Sequence, residues 1–359
     1  MEQNYHKQVI IKNEENLRKL LLELPKFCLQ YFIAIEPTTS SRTRIAYAYD
    51  LRVFFEYMMQ VNPSLKNLTI RNLPIDLLEQ LTPMDIEEYL QYLKSYKKDG
   101  KQITNTERGL ARKLAALRSF YHYFHKKQLI SNNPTSVVDT PSIREKAIIR
   151  LDPTEIEKLL DAVESGERLT DAQKKYHSKT KIRDLAMLTL LLGTGIRVSE
   201  CVGLNIHDVD LDNNAIRVIR KGGEESILYF GDEVYDAILS YLEERERIIP
   251  QTGHEDALFL SMQLRRISVR SVENLVKKYA KIVTSLKKIT PHKLRSTYGT
   301  RLYQETSDIY LVADILGHKD VNTTRKHYAA QDDANRRKVR NAVSLRKRKG
   351  EVENENQFT

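Results

Sequence analysis

The stretch "GHKDVNTTRKHYA", Gly317 to Ala329, opens on a Gly-His pair and closes on Tyr328 beside two basic residues and a histidine. A phenol titrates at about 10 and is a weak nucleophile at neutral pH. Chemistry at Tyr328 therefore needs support from elsewhere in the chain, whereas a packing tyrosine needs none. Three other stretches offer such support. "GTGIRVSECVGL" sets Arg197 just after a tight glycine turn, at the start of a helix. "HKLRSTYGT" sets His292 and Arg295 at i and i+3, on one helical face. "RKGGE" presents Lys221 at the turn of a hairpin. Taken singly, an arginine after a glycine turn is commonly a cap or surface residue, and a His-x-x-Arg is unremarkable in a basic protein.

The elements that must hold these residues are mainly α-helical, with one small β element in the second half. Residues 1–35 read as one helix, with Pro25 as a local interruption of its apolar repeat. "PTTSSRTRIAYAYDLRVFFEYMM" opens on capping residues, and its Tyr47, Leu51, Phe54 and Met58 recur at helical intervals. "TPMDIEEYLQYLKSY" restarts the pattern with Thr82 as cap and Pro83 at the first helical position. "NTERGLARKLAALRSFYHYFHKK" carries an apolar seam, Leu110, Leu114, Leu117, Tyr121 and Phe124. Its other face carries Arg108, Arg112, Lys113 and Arg118. Between Lys101 and Lys127 seven basic residues stand against one acid, Glu107, so this face reads as phosphate-contacting as well as solvated. Residues 139–150 lose the helical period and read as a linker. A second domain starts near Leu151, and "NNAIRVIRKGGEESILYF" alternates like a hairpin around its Lys-Gly-Gly turn.

Bulk properties narrow the partners. Lys and Arg exceed Asp and Glu, leaving +10 over 359 residues and a pI of about 9.3. That excess suits a polyanion, either nucleic acid or an acidic membrane surface. No apolar run approaches the roughly 18 residues of a membrane span, and the amino terminus lacks the apolar core of a signal peptide. Cys28 and Cys201 are far apart and in no ligand spacing. A soluble, reduced, cytoplasmic protein is expected, with nucleic acid the favoured partner.

In the order Arg197, Lys221, His292-x-x-Arg295, Gly317-His318, Tyr328, the candidates resemble the catalytic set of the tyrosine recombinase (phage integrase) family. The strings that carry the likeness are "TGIRVSE", "RKGGE", "TPHKLRSTYGT", "ILGHKDVNTT" and the closing tyrosine. The amino-terminal half resembles the family's core-binding domain through Thr43, Tyr47, Asp50, Leu51 and Phe54. The resemblance implies a two-domain chain: an N-terminal helix (1–35), a helical, SAM-like core-binding domain (36–138), the linker, a catalytic domain (151–330) and a basic tail (331–359). It implies paired catalytic arginines Arg197 and Arg295, histidine positions His292 and His318, a hairpin lysine Lys221 and the nucleophile Tyr328, with Glu200 supporting the first arginine. Thr43, Arg44, Arg108, Arg112, Lys113 and Arg118 are the expected DNA contacts. Two features depart from the family pattern. Glu224, Glu225 and Ser226 stand where a second basic residue often follows the hairpin lysine, and ten residues separate His318 from Tyr328 where Xer-type members commonly show nine.

These residue types suit attack on a phosphodiester. Two arginines offer planar donor forks to the non-bridging oxygens and keep their charge at any working pH. His292 and His318 can add donors or relay the phenolic proton, and Lys221 can protonate the departing 5′-oxygen. A tyrosyl ester retains the bond energy, so a second strand can reverse the attack. No P-loop, paired-carboxylate motif or ligand-spaced cysteines occur, and neither metal nor nucleotide cofactor is expected. The expected partner is double-stranded DNA with inverted-repeat core sites, bound by a homotetramer on synapsed DNA, with no membrane partner. A type IB topoisomerase-like nicking-closing enzyme and a catalytically silent DNA-binding protein are the alternatives. Tyr298 and Tyr303 read as packing residues, and Thr323 and Thr324 as caps of the turn before Tyr328. The tail holds eight basic residues between Arg336 and Lys349, and reads either as a solvated appendage or as a segment docking on a neighbouring protomer through Val339, Ala342, Val343 and Leu345.

Overall fold

In the computed structural model the apolar repeat at the amino end forms two helices rather than one, α1 (Tyr5–Leu21) and α2 (Cys28–Ile35). Pro25 lacks an N–H and its ring would collide with the carbonyl four residues back, so it ends the helix instead of merely denting it. The corner is well held. Leu24 is fully buried, and Arg71 donates to the carbonyls of Leu21 at 2.6 Å and Leu24 at 3.4 Å. The structure describes residues 5–143, 149–220, 222–318 and 320–325, the side chain of Thr323 aside. They divide into two units, Met1–Lys146 and Ala147–Thr359. Among them no helix is long and apolar enough to cross a membrane.

The first unit continues with α3 (Ser41–Val61), α4 (Pro83–Lys94) and α5 (Glu107–Lys126). Ser40 caps α3 through the Thr43 amide, and Thr82 and Asp85 form a reciprocal capping box at α4, as its sequence predicts. Every residue of the α5 seam is buried, and α3 adds Leu51, Phe54 and Met58. Aromatic rings fill the centre: Phe120 lies edge-on to Tyr31 at 5.2 Å and to Phe124 at 4.8 Å. One element is absent from the sequence reading. Helix α4 stops at Lys94, and β1 (Ser95–Lys98) pairs antiparallel with β2 (Lys101–Thr104). Asp99 and Gly100 make the turn with φ of +50° and +73°, the positive pair that a two-residue hairpin demands.

The second unit builds on α6 (Pro153–Ser165) and α7 (Asp171–Thr194). Met187, Leu188, Leu190 and Leu191 of α7 are all fully buried, so this helix passes through the core with no solvent face there. A short α8 (Val198–Cys201) leads to a three-stranded antiparallel sheet in the order β3 (Val209–Asp210), β4 (Ala215–Ile219), β5 (Glu225–Tyr229). The predicted hairpin is β4–β5, with Ile216 opposite Leu228 and Ile219 opposite Glu225; β3 is an additional strand. Helices α9 (Asp232–Glu246), α10 (Val269–Val283), α11 (Pro291–Thr306), α12 (Ile309–Leu316) and α13 (Val321–Thr324) follow among the described residues. A mainly helical chain with small antiparallel sheets is thus observed.

A candidate active site at the carboxyl end of a short helix

Helix α12 ends because Gly317 turns left-handed, with φ of +58°. The last carbonyls of a helix lack intrahelical partners and carry the negative end of its dipole. Here three arginines from three segments supply them. Arg220, just past β4, donates Nη2 to the Ile315 carbonyl at 2.9 Å. Arg295, on α11, donates Nη2 to Leu316. Arg197, the residue before α8, donates Nη2 to Gly317 at 2.9 Å. A Cβ at 317 would also meet Nη1 of Arg220 and oblige that guanidinium to move.

Each of the paired arginines has a second hold. The Nη1 of Arg295 donates to the Gly195 carbonyl at 2.6 Å, and the side chain is buried. Glu200 accepts the amide of Arg197 at 2.9 Å and its Nη1 at 2.7 Å, so one buried carboxylate both caps α8 and aims the guanidinium. This contact matches the supporting position that the resemblance implies for Glu200. Burial, and then the charge of Glu200, push the neighbouring Cys201 thiol up to about 12.

His318 follows Gly317 directly. Its amide donates to the Ala313 carbonyl at 2.9 Å, and its Nδ1 lies 2.7 Å from Oγ1 of Thr324. Thr324 is fully buried; it orients an imidazole rather than capping a turn. The cap of α13 is Asp320, which accepts the Asn322 amide. His292 stands in the first turn of α11, exposed, one turn ahead of Arg295. Arg197, Arg220 and His318 line a cavity of about 580 Å³ whose rim includes Glu224, Glu225 and Asp320. The hairpin acids that depart from the family pattern thus border the same cavity. Tyr298 packs against Gly195 and belongs with Tyr303 to a small apolar cluster; burial raises its phenol above the usual range, as suits a packing residue. Lys221, His327, Tyr328 and the basic tail lie outside the described residues.

In the first unit the six expected DNA contacts part ways. Arg44 is buried, ion-paired with Glu14, and donates to the carbonyls of Glu36 at 3.0 Å and Thr39 at 2.9 Å. Lys113 is buried with its Nζ 2.9 Å from Asp50. Arg112 reaches the same carboxylate, 2.9 Å from Nη2 to Oδ1, but stays half exposed. Arg118 donates Nε to the Thr135 carbonyl at 3.3 Å, Nη1 to Thr140 at 2.6 Å and Nη2 to Val138. Arg108 is exposed and Thr43 half-buried. A helical-wheel reading puts these cations on one face; it cannot see Asp50, on another helix, waiting beneath two of them. Arg220 is missed by sequence reasoning, and Thr324 reads there as a turn cap, for a similar reason, since only the fold brings them to α12 and to His318.

The model of the phage integrase family matches residues 149–335, and that of its N-terminal SAM-like domain matches residues 29–128. The chain belongs to the phage integrase family of tyrosine recombinases. This recombinase is 35% identical over 328 residues to tyrosine recombinase XerC of Caldanaerobacter subterraneus subsp. tengcongensis, covering 88% of this chain and 85% of that one. It is 30% identical to XerD of Oceanobacillus iheyensis over 296 residues, 82% and 90% of the two chains. Among solved structures it shares its fold with the XerH site-specific recombinase bound to palindromic difH substrate, at a TM-score of 0.64, 21% identity and coverage of 84% and 79%. The Tn1549 transposon integrase in complex with transposon right-end DNA gives 0.62 at 23% identity, covering 88% and 99%. The recombinase is accordingly a DNA breaking-rejoining enzyme of the site-specific class.

Proposed function

We propose that this recombinase cleaves one DNA strand with Tyr328, holds it as a 3′-phosphotyrosine ester with a free 5′-hydroxyl, and rejoins it to a second strand within a four-protomer synapse on inverted-repeat core sites. The observation that carries the reading is the meeting of Arg197, Arg295 and His318 at one helix end, where Arg197 and His318 line an open cavity. Preformed donors cost no reorganisation when charge builds on a phosphate, and each is worth about a hundred- to thousandfold in rate in comparable sites. Arg197 and Arg295 clamp the non-bridging oxygens, His318 and His292 donate to the same group or take the phenolic proton, and Lys221 protonates the leaving oxygen. Their positive field favours the phenolate of Tyr328. Thr43, Arg108 and Arg112 contact phosphates, while Arg44, Lys113 and Arg118 shape the unit that presents them. The enzyme meets its DNA in the cytoplasm.

The decisive test uses nicked suicide duplexes carrying candidate core sites, run in EDTA on denaturing gels. Wild type should form a covalent adduct, because the charge stabilisation comes from side chains. Tyr328→Phe, which keeps the ring and loses the oxygen, should bind equally and form none. Adduct persisting in that variant would place the nucleophile elsewhere.

A further inference from the structure

The β1–β2 ribbon has no place in the chemistry above, yet it is built with care. A lone two-stranded hairpin is marginal in water, so something must fix this one. Tyr96 is buried with its ring 5.1 Å from that of Tyr92, and Lys98 places its Nζ 2.8 Å from Oε1 of Glu56. Asn105, at the exit, donates Nδ2 to the Leu93 carbonyl at 2.7 Å. These anchors hold one face of the ribbon against the unit. Strand alternation places Ser95, Lys97, Gln102 and Thr104 on the opposite face, and all four are exposed. Gln102 donates to Ser95 across the strands at 2.6 Å, which ties that face together. Lys101, at the tip, is exposed as well. The ion pair with Glu56 consumes the charge of Lys98. Lys97 and Lys101 have no ion pair among the described residues, and the ribbon's single acid is Asp99 in the turn.

We propose that this ribbon is a second DNA-contacting element of the first unit, laid along the duplex with Lys97 and Lys101 on phosphates and Gln102, Ser95 and Thr104 offering hydrogen bonds. This rests on the reading of the chain as a DNA recombinase. Three observations favour DNA over another partner. The outward face joins Lys97 to the hydrogen-bonding groups of Ser95, Gln102 and Thr104, without a carboxylate or an apolar side chain, and Lys101, opposite Lys98 beside the turn, adds an exposed cation at the tip. A two-stranded ribbon also has the cross-section that a DNA groove admits. And β2 runs through Asn105 and Thr106 directly into α5, the helix on which Arg108 stands exposed and is assigned to phosphate.

Binding of the full chain to a labelled linear duplex of arbitrary sequence, followed through a salt series, tests the assignment. Each phosphate contact contributes about 0.9 to the slope of log affinity against log salt. The double variant Lys97→Gln, Lys101→Gln should lower that slope by about 1.8 and weaken binding about fiftyfold near 0.1 M salt. Asp99→Asn, which removes the acid and suits the positive φ, should tighten binding about two- to fivefold, a gain that no folding defect can mimic. A double variant with unchanged slope, while wild type binds, would overturn the ribbon's role and leave the recombinase reading standing. Wild type showing no salt-dependent binding would overturn both.

Discussion

Both units spend arginines on backbone carbonyls, and they do so to opposite ends. In the first, Arg44 secures the residues ahead of α3, Arg71 the corner between α1 and α2, and Arg118 the segment after α5. Each braces a different place. In the second, Arg197, Arg220 and Arg295 arrive from three segments at Ile315, Leu316 and Gly317 of one helix end. The bond is the same in every case. The difference lies in convergence, which in the second unit gathers three guanidinium groups at one helix end.

Replacing the fork while keeping the charge puts that distinction under the greatest stress. A lysine at 295 has one head and cannot reach both Gly195 and Leu316. Arg295→Lys should therefore lower cleavage of suicide duplexes about a thousandfold, with DNA affinity held within about threefold since many phosphate contacts share it. Arg71→Lys breaks the same kind of bond in the first unit. It should cost about 1 kcal/mol in denaturant unfolding and leave cleavage per bound complex unchanged. Equal losses of cleavage in the two variants would show that convergence is not what matters.

Legibility in the sequence follows the same line. The helices with strong apolar periods and good caps were readable, as α4 with Thr82, Pro83 and Asp85 illustrates, because their determinants are local. The pairing of Arg197 with Glu200 was readable too, lying within one turn. Pro25 is visible in the sequence, but the strength of its break depends on Leu24 finding a core and Arg71 finding carbonyls, which are not local. The β1–β2 ribbon was signalled by Asp99-Gly100 and masked by the helical period running into it from α4. Long-range partners left no trace: nothing local tells that Asp50 will take Lys113, or that Arg220 will rest on Gly317.

Gly317 sharpens the comparison at the next scale. Gly317→Ala strains a left-handed residue by about 1–2 kcal/mol and drives Arg220 off the helix end. Cleavage should fall about thirtyfold, between the cost of one weak and one strong donor. In a double-mutant cycle with Arg220→Ala the two losses should be far from additive. Additive losses would mean that Arg220 and Gly317 act separately and that only two arginines belong to the convergence.

Thr324→Val is a finer probe still. The valine keeps the shape of a fully buried side chain and removes the oxygen 2.7 Å from Nδ1 of His318. The imidazole then loses that hydrogen bond, which should slow cleavage about tenfold, one hydrogen bond's worth. Its pH dependence should shift on the limb near neutrality where a histidine titrates. An unchanged profile would make His318 a spectator.

The smallest effects come from the two cysteines, one in each unit and both fully buried. Burial raises the Cys28 thiol, a rise that the charge of Arg71 partly offsets, while that of Cys201 is pushed up to about 12. The thiolate is the reactive form, so neither should react with a disulfide reagent at pH 8 until its surroundings open, and both should react on unfolding. Labelling rates, assigned by peptide mass, then report the opening of each unit separately. Arg71→Lys loosens the corner beside Cys28 and should speed its labelling about fivefold, the size of one weakened hydrogen bond. Cys201 should label at the wild-type rate in the same sample, because its unit keeps all three converging arginines. If both thiols accelerated together, the units would open as one cooperative body, and a brace in the first would then matter to the site in the second.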